Sequence, residues 1–364
     1  MTSSVNEWIA SDAELAQLCA ALDGATLVAV DTEFVREKTY YPQLCLIQVA
    51  TREHAACIDC LAPLDLAPLF ERLFRADCVW VLHSARQDLE VVWQRAERLP
   101  PRLIDTQIAA ALIGWPPQVG LEALLERALN VTLGESYART DWSRRPLPSA
   151  ALHYALEDVR HLLPAWDVVE RKLIELGRLA WLHEDCARAL AEPPVTDETA
   201  VWSRVKSVHA LPFPAQCAAL DLVRWRERAA RRSDRPRRWL LDDDKLLALA
   251  TAAPKTTEDV GRLMPPKFAA RNGEEIVAAI ARRDDAQVQA LVRANAVQPV
   301  ADKSRVKALQ EDARKRAAAL GLEPEVLATR RDLVALAAGR PPAHLRNGWR
   351  AAALGLEPDR AVAV

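Results

Sequence analysis

Two carboxylates stand two residues apart at the end of an apolar run near the N-terminus. The run Val28–Val30 leads into Asp31 and Glu33, with Thr32 between them. Residues i and i+2 of a β-strand point to the same face of a sheet, so these two carboxylates are expected to lie side by side. Adjacent carboxylates repel each other unless cations lie between them. The spacing therefore predicts an acidic, cation-binding site on one face of a strand.

Two further acidic stretches occur much later in the chain. One ends at Asp88 and the other at Asp158. Carboxylate oxygens are the ligands that Mg²⁺ and Mn²⁺ prefer. If helices bring these two acids beside Asp31 and Glu33, the four carboxylates would bind a pair of such ions, and a site of that kind hydrolyses phosphodiesters.

Asp88 falls in the first turns of a predicted helix. Ser84 can cap this helix, and Gln87 three residues later completes a capping-box pattern. The helix follows a predicted strand over Cys78–Leu82, and α/β proteins place their sites where such strands end. Taken alone, Asp88 is better explained as compensating the positive end of the helix dipole.

Asp158 is predicted to share a helix with an aromatic hydroxyl. Ser149 is the predicted N-cap, and Tyr154 precedes Asp158 by four residues, so both lie on one helix face. The helix would offer a carboxylate for a metal ion and, one turn earlier, a phenol able to hydrogen-bond the attacking water. Taken alone, this stretch could equally be a solvent-facing Tyr–Asp pair.

The elements that must position these residues form an α/β part followed by an all-helical part. Up to about residue 190, short apolar runs alternate with helical patterns, which predicts a mixed sheet with three early strands in series. A polar, proline-bearing stretch over 191–199 indicates a domain boundary, and the strand pattern is lost beyond it. The predicted strands are 25–30, 44–49, 55–58, 78–82 and 103–105.

The helical part contains a weak internal repeat with an offset of about 88 residues. Arg226–Ala230 resembles Arg314–Ala318, and Leu246–Ala250 resembles Leu333–Ala337. Two copies of one small helical domain is the economical interpretation. Chance similarity between Ala/Leu/Arg-rich helices is the alternative.

Composition bounds the class of protein. With 364 residues, 50% of them hydrophobic, the chain can form two or three domains. The net charge of -2 does not point to nucleic acid, although a local field can still steer it. Neither a membrane-spanning run nor a secretory signal occurs, and seven cysteines suggest reduced thiols in a cytoplasmic protein. Cys57 and Cys60 form a lone CxxC, which favours small apolar residues beside a strand over a zinc site.

Taken together, the acidic stretches resemble the motifs of the ribonuclease D family, in the tyrosine-bearing branch of the DEDD exonuclease superfamily. The resemblance covers nearly the whole chain. It implies a ribonuclease-H-like α/β exonuclease domain with a mixed sheet over 1–192, followed by two all-α HRDC domains over 208–291 and 300–364. HRDC domains are helical modules shared with RecQ-type helicases. The matching stretches are 30–36, 40–48, 82–90, 103–107, 139–142 and 154–158.

The resemblance also implies an activity. Members are metal-dependent 3′→5′ exoribonucleases that trim the 3′ ends of precursor tRNA and other structured RNAs and release 5′-mononucleotides. Carried over by position, Asp31, Glu33, Asp88 and Asp158 bind two divalent metal ions, Mg²⁺ or Mn²⁺, and Tyr154 positions the nucleophilic water. The chain does not depart from the family pattern at these five positions. We expect a monomer, because no heptad seam or repeated apolar surface stripe stands out, and a cytoplasmic location, because the cysteines suggest reduced thiols.

An arginine-rich run in the helical part is a candidate RNA surface. Residues 224–238 carry eight arginines, and tryptophans flank the run at 225 and 239. Arginine pairs with phosphate and tryptophan stacks on bases, but the tryptophans could equally pack in a core with the arginines as a solvated face. The residues predicted to bind nucleic acid are Arg224, Trp225, Arg228, Arg231, Arg232 and Arg235.

Two other functions are also compatible with these residues. A DNA exonuclease of the proofreading or helicase-associated kind would carry the same catalytic motifs, because recognition of the 2′-OH cannot be read from these residues. A non-catalytic nucleic-acid-binding scaffold is the other alternative, and the intact set of five residues argues against it.

Overall fold

The computed structural model describes residues 6–191, 194, 197–295 and 302–357. The described chain divides into two compact units. The first contains the residues up to Val35, those from Gln43 to Pro194, and those from 302 onwards; the second contains Arg36–Pro42 and the residues between 197 and 295. No helix within the described ranges is both long and apolar enough to cross a membrane.

One mixed sheet organises the first unit. Its order is β1-β4-β3-β2-β5-β6. β2, β3 and β4 are antiparallel neighbours in series, whereas β5 and β6 run parallel to β2. This confirms the predicted mixed sheet with three early strands in series. The strands are β1 (Trp8–Ile9), β2 (Leu27–Val35), β3 (Gln43–Ala50), β4 (Ala55–Asp59), β5 (Val79–Leu82) and β6 (Arg102–Asp105).

Helices cover the sheet of the first unit. All four residues of β5 are buried, which requires cover on both faces and explains why this strand reads as a continuous apolar run. The parallel strands β5 and β6 need a crossover, which α3 supplies. The helices are α1 (Asp12–Ala21), α2 (Ala67–Leu73), α3 (Arg86–Ala96), α4 (Thr106–Leu112), α5 (Leu121–Leu129), α6 (Ser149–Arg160), α7 (Leu162–Glu175) and α8 (Leu179–Ala191).

The second unit is helical and has its own core around α10. Trp202, Leu220, Trp225 and Ile276 are among its buried residues. Its helices are α9 (Glu198–Ser203), α10 (Phe213–Ser233), α11 (Arg237–Leu240), α12 (Asp243–Ala252), α13 (Thr257–Leu263), α14 (Pro266–Ala281) and α15 (Ala286–Asn295).

The C-terminal helices share a core with the α/β part of the first unit. Trp349 stacks on Trp181 with ring centroids 4.5 Å apart, and Arg178 donates hydrogen bonds to the carbonyl oxygens of Leu112 and Leu320. The segment predicted as a third domain therefore packs on the first, while the three predicted domain ranges stay predictions. These helices are α16 (Lys303–Leu320), α17 (Pro324–Leu327), α18 (Arg330–Ala337) and α19 (Gly348–Ala353).

Ser84 does not cap α3, contrary to the sequence prediction. The N-cap residue is Ala85, and Ser84 lies just before it with a φ of 62°. The carboxylate of Asp105, at the end of β6, instead accepts hydrogen bonds from the backbone N–H groups of Ser84 at 3.0 Å and Ala85 at 2.9 Å. The donors at the start of α3 are thus satisfied by a neighbouring strand rather than by a local side chain.

Candidate active site

Asp31 and Glu33 lie two residues apart on β2, as the strand period predicts. Asp31 pairs with Gln48 of β3 and Glu33 pairs with Leu46, and the register shifts between Glu33 and Phe34. A register shift of this kind bends the strand and re-aims its side chains, and such irregularities are frequent beside active sites. Antiparallel pairing with β3 therefore fixes where the two carboxylates stand.

Asp158 reaches the same place from α6. One carboxylate oxygen from each of Asp31, Glu33 and Asp158 lies within 4.8 Å of the other two. Oxygen ligands about 2.1 Å from one Mg²⁺ are at most about 4.2 Å apart, so slight side-chain movement would let all three bind one ion. α6 begins at Ser149 itself, and the N-cap is Pro148 in an extended conformation, which corrects the predicted serine cap.

Asp88 lines the same cavity but is not a member of this three-carboxylate cluster. It lies in the first turn of α3. Its Oδ1 accepts a hydrogen bond of 2.5 Å from the hydroxyl of Thr32, the residue between Asp31 and Glu33. The structure thus brings three of the four predicted ligands together and holds the fourth beside them.

The charges of these carboxylates are strongly disfavoured in the protein alone. Burial raises the pKa of Asp31 well above its usual value, and the neighbouring carboxylates add to the effect. Burial also raises the pKa of Glu33 to about 9, of Asp158 to about 7 and of Asp88 to about 6. Bound cations would favour the ionised forms, and a set of hard oxygen donors fits Mg²⁺ or Mn²⁺. The residues present therefore fit the divalent metal that the family pattern implies.

Tyr154 stands one turn before Asp158 and lines the cavity. Burial raises the pKa of its hydroxyl above the usual value, so the group stays protonated at neutral pH. Its proximity to Asp158 lowers the pKa of that carboxyl, and the proximity of Ser136 lowers the pKa of the Tyr154 hydroxyl, each against the larger effect of burial. The hydroxyl is thus held beside the acidic cluster, where a hydrogen bond to a water molecule is available to it.

Two residues that the sequence reasoning did not assign position Asp88. Thr32 donates a hydrogen bond to the Asp88 carboxylate, and Asp105 accepts hydrogen bonds from the backbone N–H groups at the start of α3. Asp105 also accepts from the N–H of Gln107 at 2.9 Å and so caps α4. An Asp at the junction of a predicted strand and helix was a usable capping signal. The cavity of about 630 Å³ is also lined by Phe34, His83, Arg86, Gln87, Leu121 and Ala138.

Trp225 does not lie on a surface. Its side chain is 2% exposed, and the indole N–H donates a 2.6 Å hydrogen bond to Glu275. A base cannot stack on a buried ring, which corrects the prediction for this residue. The other flanking tryptophan, Trp239, is 64% exposed and was not assigned.

The predicted arginines fall into two groups. Arg224 and Arg231 are half-buried and engaged internally: Arg224 pairs with Asp221 at 2.9 Å, and Arg231 donates to the hydroxyl of Tyr40 at 3.1 Å. These contacts leave both guanidiniums poorly placed for phosphate. The exposed arginines of the predicted set are Arg228, Arg232 and Arg235.

Comparisons with known proteins agree with this geometry. A family model described as 3'-5' exonuclease matches residues 6–174, and one described as HRDC domain matches residues 218–280. Ribonuclease D of Jannaschia sp. (strain CCS1) is 37% identical over 365 residues, covering 95% of this chain and 92% of the relative. Ribonuclease D of Xanthomonas oryzae pv. oryzae is 36% identical, covering 95% of this chain and 96% of the relative.

A solved structure extends the similarity to three dimensions. The crystal structure of Escherichia coli RNase D, described as an exoribonuclease involved in structured RNA processing, superposes with a TM-score of 0.80 at 30% sequence identity. The match covers 96% of this chain and 97% of that one. The similarity therefore includes the helical parts as well as the sheet.

Proposed function

The chain belongs to the ribonuclease D family of 3′→5′ exoribonucleases, and we propose that it removes 5′-mononucleotides at the cavity lined by Asp31, Glu33, Asp88 and Asp158. The observation that carries this proposal is the convergence of three carboxylates from β2 and α6, with the fourth in the same cavity. These four side chains would hold two divalent ions, Mg²⁺ or Mn²⁺. The monomeric state and the cytoplasmic location stay predictions from the sequence.

The chemistry divides between the ions and the protein. The four carboxylates would hold divalent ions, which when bound would supply a hydroxide near neutral pH and offset the charge on the phosphate and the leaving 3′-oxygen. The protein holds the carboxylates in place, with Thr32 and Asp105 fixing Asp88. Tyr154 gives the attacking water its direction through a hydrogen bond, because its hydroxyl stands beside Asp158 in the cavity and its ring is held by Trp142 and Tyr137.

We infer that the substrates are 3′ ends of structured RNA, precursor tRNA among them. The family name and the description of the E. coli protein as an enzyme of structured RNA processing support RNA over DNA. A direct test compares a single-stranded RNA with a single-stranded DNA of the same sequence during a Mg²⁺ titration. Each substrate is labelled at the 5′ end in one sample and at the 3′ end in another.

The expected result is Mg²⁺-dependent shortening of the RNA one nucleotide at a time, with immediate release of the 3′ label as a mononucleotide. A precursor tRNA with a 3′ extension is expected to be trimmed towards its mature end. Faster degradation of DNA would favour the DNA exonuclease. Tight RNA binding without degradation at any Mg²⁺ or Mn²⁺ concentration would favour the scaffold.

We propose that α16–α18 form a second HRDC-like copy. The long helices α10 and α16 both end in a left-handed residue, Asp234 and Gly321, which are 87 residues apart. A four-residue helix follows in each copy, and each ends in an extended residue, Leu241 with φ -153° and Ala328 with φ -157°, again 87 residues apart. A capped helix then begins in both copies. This agreement of backbone conformation supports duplication over chance similarity.

The exposed arginines of α10 and the turn after it are proposed to contact RNA phosphates. Replacing Arg228, Arg232 and Arg235 together by Gln is expected to weaken RNA binding and to lower the slope of log K against log salt by about 2, since each single-strand phosphate contact contributes about 0.7. Fluorescence anisotropy with a labelled single-stranded RNA between low and moderate salt measures this slope.

A matched variant separates local contacts from the effect of net charge. Lys307, Arg330 and Arg331 are three exposed cations on α16 and α18, and their replacement by Gln removes the same total charge. We expect this control to change the slope by less than half as much. An equal reduction in both variants would show that α10 carries no specific phosphate contacts.

A further inference from the structure

Residues 130–148 connect α5 to α6 without regular secondary structure and surround Tyr154. The ring of Trp142 stacks against the Tyr154 ring at 6.5 Å with an interplanar angle of 28°, and the ring of Tyr137 lies at 6.2 Å. The orientation of the Tyr154 ring, and with it the position of its hydroxyl, therefore depends on where this connection lies.

Arg145 attaches the connection to the sheet. Its Nε and Nη2 donate to the two carboxylate oxygens of Asp59 at 2.8 and 2.5 Å. Nη2 also donates to the carbonyl oxygen of Cys45 on β3 at 3.1 Å. Asp59, the last residue of β4, has a side chain only 8% exposed. One guanidinium thus bridges two neighbouring strands in a forked geometry that lysine cannot reproduce.

The same guanidinium also fixes the backbone beside Trp142. Its Nη1 donates to the carbonyl oxygens of Trp142 at 2.8 Å and Arg144 at 2.7 Å. Trp142 is 1% exposed and belongs to a small core with Cys45, Leu147 and the α6 residue Ala155. A continuous chain of contacts therefore runs from β3 and β4 through the Arg145 guanidinium and Trp142 to Tyr154.

Stability alone is a weak reason for such an arrangement. A buried ion pair often adds little net stability, because desolvation of both charges offsets their attraction. The Arg145–Asp59 pair does, however, restrict the groups that contact it to one position. Here those groups contact the ring of Tyr154, while neither Arg145 nor Asp59 lines the catalytic cavity.

On the premise that Tyr154 positions the attacking water, we propose that Arg145 and Asp59 are positioning residues that hold Tyr154 through the 130–148 connection. Loss of the fork releases Trp142, and the tyrosine hydroxyl then samples orientations that do not direct the water. Binding of RNA and of metal ions is expected to change little, because neither Arg145 nor Asp59 lines the cavity that holds the carboxylates.

The test is a double-mutant cycle with full-length protein. Asp59→Asn and Arg145→Lys are made singly and in combination with Tyr154→Phe, and single-turnover rates are measured on 3′-labelled RNA. Each single variant is expected to lower the rate by about 10- to 100-fold, the cost of misplacing a catalytic group by about 1 Å. KM for RNA and the Mg²⁺ concentration at half-maximal rate are expected to stay within about twofold. In the Tyr154→Phe background neither change is expected to lower the rate further.

A second ion pair in the same unit provides the control. Arg52 and Asp167 form an exposed bidentate pair at 2.6 and 2.9 Å, and Asp167→Asn is expected to leave the rate unchanged. If Arg145→Lys does not fold, Asp59→Asn carries the test, since it preserves side-chain shape. A merely structural role would lower the melting temperature, and the loss of rate would multiply with that of Tyr154→Phe.

The outcomes separate this proposal from its premise. A reduced rate in Tyr154→Phe, together with an unchanged or multiplicative rate in Asp59→Asn, overturns the positioning role alone. A full rate in Tyr154→Phe overturns both the role of Tyr154 and the positioning role. A reduced rate in Tyr154→Phe, together with a loss in Asp59→Asn that is no longer measurable in the Tyr154→Phe background, supports both.

Discussion

Asp31→Asn and Asp158→Asn are each expected to reduce RNA turnover by at least about 10³-fold, a loss at the upper end of that seen on removing one stabilising group from a transition state. Asparagine has the shape of aspartate but no charge, so the cluster of three oxygens loses a ligand while the surrounding packing is preserved. Single-turnover rates on 3′-labelled RNA across a Mg²⁺ titration measure this loss.

Asp158→Asn is also expected to stabilise the folded protein when metal is absent. Asp158 and Glu33 have pKa values raised to about 7 and about 9 by burial, so the folded state holds protons that the unfolded state releases. Stability therefore falls as pH rises from about 4 through those values. Asp158→Asn removes part of that loss, and in EDTA its melting temperature is expected to exceed that of the unaltered protein at pH 8, with the difference shrinking towards pH 5.

Added metal is expected to act in the opposite direction on the difference between these two melting temperatures. Added Mg²⁺ binds the folded state, so it is expected to raise the melting temperature of the unaltered protein more than that of Asp158→Asn. Asp77→Asn is a control, because Asp77 forms an exposed ion pair with Arg75 at 2.6 Å, and its response to EDTA, Mg²⁺ and pH should match that of the unaltered protein. A near-normal Mg²⁺-dependent rate, or a lower melting temperature in EDTA at pH 8, would contradict the metal-site assignment.

The parts of the site that could be predicted from sequence follow from local periodicity. Asp31 and Glu33 share a strand face because the strand repeat is two residues, and Tyr154 and Asp158 share a helix face because they are one turn apart. Neither relation depends on how the chain folds over a distance. The three clustered carboxylates are drawn from these two local relations.

The contacts that position Asp88 could not be predicted in this way. Asp88 bonds Thr32 across 56 residues, and Asp105 satisfies the start of α3 from a parallel neighbouring strand. Both contacts depend on the pairing of β2, β5 and β6, which only the folded sheet establishes. A local capping box was the best signal in the sequence, and the tertiary structure replaced it.

The arginine-rich run shows a second limit of prediction from sequence, which is deciding which side chains of a helix are buried. Arg226 is 1% exposed and pairs with Asp243 at 2.7 Å, although charged side chains are almost always placed outside by pattern. Trp225 and Trp239 are equivalent by composition, yet one is in the core of α10 and the other is exposed after the helix ends. Which face of a helix is buried depends on α12 and α14, which pack against it.

Tyr154→Phe is expected to lower turnover by about 100-fold, the lower range of what a positioned proton-transfer or hydrogen-bonding group contributes. Phenylalanine keeps the ring packed between Trp142 and Tyr137 and removes only the hydroxyl. The fold and the three-carboxylate cluster should therefore remain. The rate is measured under single-turnover conditions, and metal binding is measured separately by Mn²⁺ titration.

The separation of rate from metal binding decides the role of the hydroxyl. A group that orients water changes the rate at saturating metal, whereas a group that supports a ligand shifts the metal titration. Because Tyr154 also lowers the pKa of the Asp158 carboxyl against the larger effect of burial, a small weakening of metal binding at low pH is consistent with the water-directing role. Tyr41→Phe, at an exposed tyrosine of the second unit, should leave both quantities unchanged. A metal titration shifted by tenfold at pH 8, with a normal rate at saturation, would assign the hydroxyl to Asp158 rather than to the water.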